Sequence, residues 1–173
     1  MGLTRREWLI LGGVGTAAAI AGIVAGPILL QSGSGAAELL ATPLPDVAGR
    51  TRRLSEWHGK VVLCNFWATW CAPCREEIPM LIDLRERYAA QGFEVVGIAI
   101  DNADKVREFS SKYAISYPVL IAEAKGLDLL RKLGNNAGAL PFTVTLDRRG
   151  TVLERKLGIL RRSDIEPRIK ALL

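Results

Sequence analysis

The sequence predicts an α/β sandwich with a mixed central sheet. Three observations carry that prediction: apolar runs of strand length at Val61–Trp67 and Phe93–Asp101, helix-period segments after each, and an alternating strand–turn–strand pattern near the C-terminus. The order is βαβαβα, then a hairpin and a last helix.

"VVLCNFW", Val61–Trp67, has no polar alternation, as expected of a parallel strand covered on both faces and therefore central. After Cys74, Ile78, Leu81, Ile82 and Leu84 recur among charges, which predicts an amphipathic helix ending by Gln91 and Gly92. "FEVVGIAID" predicts a second buried strand. Val106, Phe109 and Tyr113 then share one face of a helix over 103–113. "YPVLIA" reads as a short strand and "GLDLLRKLG" as a short helix stopped by Gly134. "PFTVTLD", "RRG" and "TVLERKLG" read as strand, turn and strand, with Phe142, Val144 and Leu146 on one face. Ser163 with Glu166 predicts a capping box opening the last helix, with Pro167 close behind.

The length of 173 residues, 49% apolar, suits one globular domain plus an appendage. The appendage comes first. Arg5 and Arg6 precede Trp8–Leu30, a stretch without charge that as a helix at roughly 1.5 Å per residue crosses a hydrocarbon core of about 30 Å. The arginines keep the short N-terminus inside and send the remainder outward, giving an inner-membrane protein whose domain faces the periplasm. A second reading stays open: "TRREWL" resembles a twin-arginine signal, and "SGA" before Ala37 offers small residues for cleavage, which would leave a soluble periplasmic domain. Residues 1–30 are thus a signal-anchor or signal, 31–42 a flexible linker, and 43–173 the domain. The net charge of +5 is mild, and the paired arginines lack the interleaved aromatics of a nucleic-acid groove, so no nucleic-acid partner is expected.

"NFWATWCAPCREEIP" places Cys71 and Cys74 where strand hands over to helix. Free N–H groups and the positive dipole end favour a thiolate at that position, and the first cysteine gains most. Cys74, one turn on, is placed to attack a mixed disulfide formed on Cys71. A structural zinc site wants four ligands, and only Cys64 and His58 remain. A structural disulfide across so small a ring constrains the unfolded chain little. Redox chemistry is the expectation, with no cofactor beyond the cysteine pair.

"FWATWCAPC", Pro79 and "GALPFTVTLDRRG" together resemble the thioredoxin superfamily, specifically the TlpA/ResA-like membrane-tethered thiol-disulfide oxidoreductases, over roughly Pro43 to Leu173. That resemblance implies a thioredoxin-like three-layer sandwich. It also implies Cys71 as attacking thiol, Cys74 as resolving thiol, and Pro141 as a cis-proline beside which the Leu140 backbone binds an extended substrate. Where thioredoxin itself has a buried aspartate, this chain has Asn65, and in this branch the proton-handling position falls on Glu77, one turn from Cys74. The resemblance further implies disulfide reduction in exported proteins, apocytochrome c among them, fed by a membrane thiol-disulfide electron donor. The alternative is a copper-delivery or metal-site assembly protein using the same cysteines, since two thiolates suffice for Cu(I).

Cys64, among Val61, Val62, Leu63 and Phe66, is expected as a buried, inert core residue. His58 is expected in a surface turn, and Glu76 on the solvated side of its helix. Trp70 is expected at the site rim in contact with substrate, whereas Trp67 points the other way into the core.

Overall fold

The computed structural model describes residues 35–173. The Trp8–Leu30 segment and tether residues 31–34 lie outside the described residues. Among the described residues, no helix is long and apolar enough to cross a membrane.

The core is one five-stranded sheet, β5-β4-β3-β6-β7, formed by β3 (Val61–Trp67), β4 (Phe93–Ala99), β5 (Val119–Ile121), β6 (Phe142–Leu146) and β7 (Val152–Leu157). β3 runs parallel to β4 and antiparallel to β6, and β7 returns antiparallel along β6, so the sheet is mixed and β3 is its middle strand, as expected. Every residue of β3 is buried, because alternate side chains enter two separate apolar layers. Val61, Leu63 and Trp67 join α2 (Ala72–Tyr88), α3 (Ala103–Lys112) and α5 (Arg162–Leu172), while Val62, Cys64 and Phe66 meet α4 (Glu123–Lys132) and the N-terminal segment. These are the three layers of the sandwich.

Two expectations are corrected. Residues 35–41, placed in a flexible linker, form a helix, α1, and Leu39 is buried in the second apolar layer with Leu129 and Leu130. Glu38 also pairs with Lys132 at 2.6 Å, and a Cβ on Gly35 would collide with the Lys132 carbonyl. The domain therefore starts before Pro43. The opening of the domain holds a small hairpin, β1 (Leu44–Pro45) with β2 (Thr51–Arg52), closed by Asp46 accepting from the Ala48 and Arg50 amides at 2.9 Å each. Finally, α5 is capped by Arg161 without a side-chain bond, not by Ser163. Ser163 Oγ donates to Asp164, and Glu166 is drawn away by the Tyr88 hydroxyl at 2.6 Å. Tertiary contacts override the local capping pattern.

Candidate active site

At the C-terminal end of β3, residues 68–70 turn the chain into α2. Asp101, just beyond β4, fixes that turn: its Oδ2 accepts from the Thr69 N–H at 3.2 Å and from the Thr69 hydroxyl, and its Oδ1 accepts from the Asn102 N–H at 2.7 Å. Burial works against charge on Asp101, but the bonds from Thr69 and Asn102 outweigh it and hold its pKa below the ordinary value. Sequence reasoning missed this residue.

Cys71 is the N-cap of α2, in extended conformation, and its Sγ accepts the Cys74 N–H at 3.3 Å. Pro73 occupies the first turn and has no N–H to offer, so the Cys74 amide and the helix dipole converge on this sulfur. A thiolate here is stabilised by both. The two cysteines are joined in a disulfide with Cα atoms 5.3 Å apart. Cys71 is 5% exposed and Cys74 0%, so an external nucleophile or disulfide reaches Cys71 first. Trp70, beside it, is 67% exposed at the rim as expected, and Trp67 is fully buried.

The register Phe66↔Phe142 sets Pro141 alongside the end of β3, and the Leu140–Pro141 peptide is cis as expected. Leu140 is partly buried against both apolar layers, yet neither its N–H nor its C=O has a partner among the described residues. An unspent backbone donor and acceptor thus precede the cis-proline.

Beneath the disulfide, Glu77 is 1% exposed, whereas Glu76 is exposed as expected. Glu77 accepts from the Leu160 N–H and from Asn65 Nδ2 at 3.1 Å, and the same Asn65 nitrogen donates to Thr143 Oγ1 at 3.1 Å. Burial pushes the Glu77 pKa up to about 7, against the lowering effect of the two hydrogen bonds. Asn65 Oδ1 remains unpartnered, as does the buried Tyr117 hydroxyl. Tyr117 resists ionisation because of its burial and then because of Glu77's charge. A Cβ on Gly97 would meet Tyr117 at 3.0 Å and Trp67 Nε1 at 2.9 Å, so only glycine lets both rings pack there. The sequence signals for this buried polar cluster were Asn65, a polar residue inside an apolar run, and Glu77, one helical turn from Cys74; nothing in the sequence pointed to Tyr117 or Thr143.

Cys64 is a fully buried free thiol, and burial pushes its pKa up, which keeps it protonated and inert. His58 is exposed. Among the described residues, no three His, Cys, Asp or Glu side chains cluster as a metal site would need.

Exchange at a helix-capping cysteine pair is the chemistry of thioredoxin-like proteins, and this chain is a protein thiol-disulfide oxidoreductase of that class. It belongs to the AhpC/TSA family, whose sequence profile matches residues 36–155. The thiol-disulfide oxidoreductase ResA of Geobacillus kaustophilus is 32% identical over 132 residues, which span 75% of this chain and 72% of that one. The thioredoxin-like protein YneN of Bacillus subtilis is 33% identical over 130 residues, 73% of each chain. Among solved structures, a thioredoxin-family thiol:disulfide interchange protein of Chlorobium tepidum superposes with a TM-score of 0.63 at 30% identity, covering 76% of this chain and 95% of that one. A secreted thiol-disulfide isomerase of Corynebacterium glutamicum gives 0.69 at 25% identity, covering 76% and 82%.

Proposed function

We propose that the chain reduces disulfides in polypeptides outside the cytoplasm, with Cys71 as attacking thiol, Cys74 as resolving thiol and Glu77 as the proton carrier. The observation that carries this reading is the Cys71 sulfur, which caps α2, accepts the Cys74 N–H at 3.3 Å, and belongs to the residue of the pair that keeps any exposure.

In the reduced protein the Cys71 thiolate attacks one sulfur of a substrate disulfide. A Cys71–substrate bond forms, the substrate S–S bond breaks, and the departing thiolate takes a proton from water. Cys74 then gives its proton to ionised Glu77 and attacks Cys71 Sγ. The Cys71–Cys74 bond forms, the mixed disulfide breaks, and the second substrate sulfur leaves as a thiolate. Two electrons have passed from the cysteine pair to the substrate. A carboxyl titrating at about 7 takes and returns that proton readily at neutral pH. Its protonated form needs an acceptor, and Asn65 Oδ1 supplies one when the amide turns over.

Trp70 offers an aromatic face to the arriving polypeptide, and the Leu140 N–H and C=O bond its extended backbone next to Pro141. The segment ahead of residue 35 carries the domain across the inner membrane, as an anchor or as a cleaved signal. A membrane thiol-disulfide donor returns electrons to the pair, and apocytochrome c is one substrate of the class expected. Replacing Cys74→Ser tests the assignment: the variant accumulates a mixed disulfide on Cys71, and mass spectrometry identifies the partner. A Cys71→Ser variant with full turnover excludes the scheme.

A further inference from the structure

One buried side chain holds the segment that leads into Pro141. Asn135 follows α4 after Gly134, is 5% exposed, and is tied to the helix end by its own N–H donating to the Leu130 carbonyl at 2.9 Å. From there its amide turns onto Ala139: Nδ2 donates to the Ala139 carbonyl at 2.8 Å, and Oδ1 accepts the Ala139 N–H at 3.2 Å. Gly138, in the left-handed region at φ +63°, closes the loop by donating to the Asn135 carbonyl at 3.1 Å.

The backbone polar groups of the two residues flanking Leu140 are accounted for. Both groups of Ala139 are taken by Asn135, Pro141 has no N–H, and the Pro141 carbonyl accepts from Gly158 at 2.9 Å. Of residues 139–141, only Leu140 keeps both a free donor and a free acceptor among the described residues. No hydrogen bond joins Asn135 to either cysteine, so any effect it has on exchange runs through the loop.

We infer that Asn135 is a positioning residue that sets the register in which a disulfide-bearing polypeptide docks, an inference that rests on the function proposed above. With Ala139 occupied, an extended substrate backbone finds one pair of groups to bond, at Leu140, and cannot slide one residue along the edge. Such a slip would turn every substrate side chain to the opposite face and carry its cysteine away from Cys71. Removing the amide frees the Ala139 groups to compete and loosens the loop from α4.

The test uses the full chain and two oxidants, a disulfide-bearing decapeptide and a small disulfide too short to reach Leu140. For Asn135→Ala the ratio of peptide to small-disulfide kcat/KM falls about tenfold, mainly through peptide KM, as expected when two hydrogen bonds that fix the docking edge are lost. Asn135→Asp supplies a conservative rescue. Its carboxyl when protonated carries one donor and one acceptor, like the amide, so its peptide KM returns toward the wild-type value as pH is lowered. A ratio unchanged in both variants overturns the inference. If Asn135→Ala does not fold, the Asn135→Asp profile decides, and a peptide KM that follows the small-disulfide KM across pH overturns it. A wild-type chain that turns over neither oxidant removes the functional reading, and this inference with it.

Discussion

Two glutamates are buried at opposite ends of the same parallel strands, and they are treated in opposite ways. Glu94, paired in register with Val62 near the start of β3, is 4% exposed and meets Arg85 at 2.8 Å and Lys60 at 3.6 Å. Glu77, under the disulfide at the other end, is 1% exposed and meets only neutral donors, the Leu160 amide and Asn65. Two cations offset Glu94's charge in place, so that carboxylate locks α2 to β4. No cation offsets Glu77's charge, two neutral hydrogen bonds only partly counter its burial, and its carboxyl therefore titrates at about 7. Equal burial gives a structural ion in one place and a proton reservoir in the other, and the difference lies in the partners.

The comparison breaks most visibly if Glu94 is stripped of its cations. The double variant Lys60→Ala with Arg85→Ala leaves a buried carboxylate uncompensated and lowers unfolding free energy by about 3 kcal/mol at pH 7 in urea titration. A loss well under 1 kcal/mol means water already screens Glu94. Glu77→Gln goes the other way. Between pH 4.5 and about 7 folded Glu77 holds a proton that the unfolded chain has released, so wild-type stability falls as pH rises through that window. The glutamine variant lacks this fall and gains on the wild type by roughly 2 kcal/mol between pH 5 and pH 8. Its exchange rate also loses the inflection near neutrality. A stability curve parallel to wild type removes the raised pKa from the account.

Cys64→Ala sharpens the comparison from a third direction, because Cys64 is buried without any charge to offset. Losing one sulfur from a packed layer costs about 1 kcal/mol, at every pH alike. Exchange kinetics stay as in wild type.

The strand and the cysteines were readable because their signals are local. An unbroken apolar run marks β3, and Cys71, Pro73 and Cys74 sit within one turn of its end. Pro141 was readable only through the family resemblance that its stretch carries, and the Leu140–Pro141 peptide is cis. Glu77 was half readable: helical spacing puts it on the side of Cys74, but its neighbour Glu76 is chemically identical, and only the packing of α2 on the sheet buries one and leaves the other in water. Helix α1 was missed because its small, polar approach reads as a tether, and Leu39 is ordered by partners on α4 roughly ninety residues away in sequence. Asp101 and Asn135 were missed for the same reason: a loop aspartate or asparagine shows its role only when the peptide it holds is in place.

The smallest effect falls on Asn65, which separates burial from hydrogen bonding at Glu77. Asn65 Nδ2 favours the ionised carboxylate, so it partly counteracts burial and sets how far above 4.5 the titration lies. Asn65→Ala removes that donor and leaves the Leu160 amide as the other brake, so the pH–rate inflection moves upward by about half a unit, roughly 0.7 kcal/mol. An apolar replacement also drops the link to Thr143, the register partner of Asn65 on β6, but that loss alters stability equally on both sides of the inflection. The inflection's position therefore reports what the Asn65 amide does to Glu77, apart from its link to Thr143. A downward shift shows that water entering the vacated space hydrates the carboxylate better than Asn65 did, which makes Asn65 a wall that keeps Glu77 dry instead of a donor that tunes it.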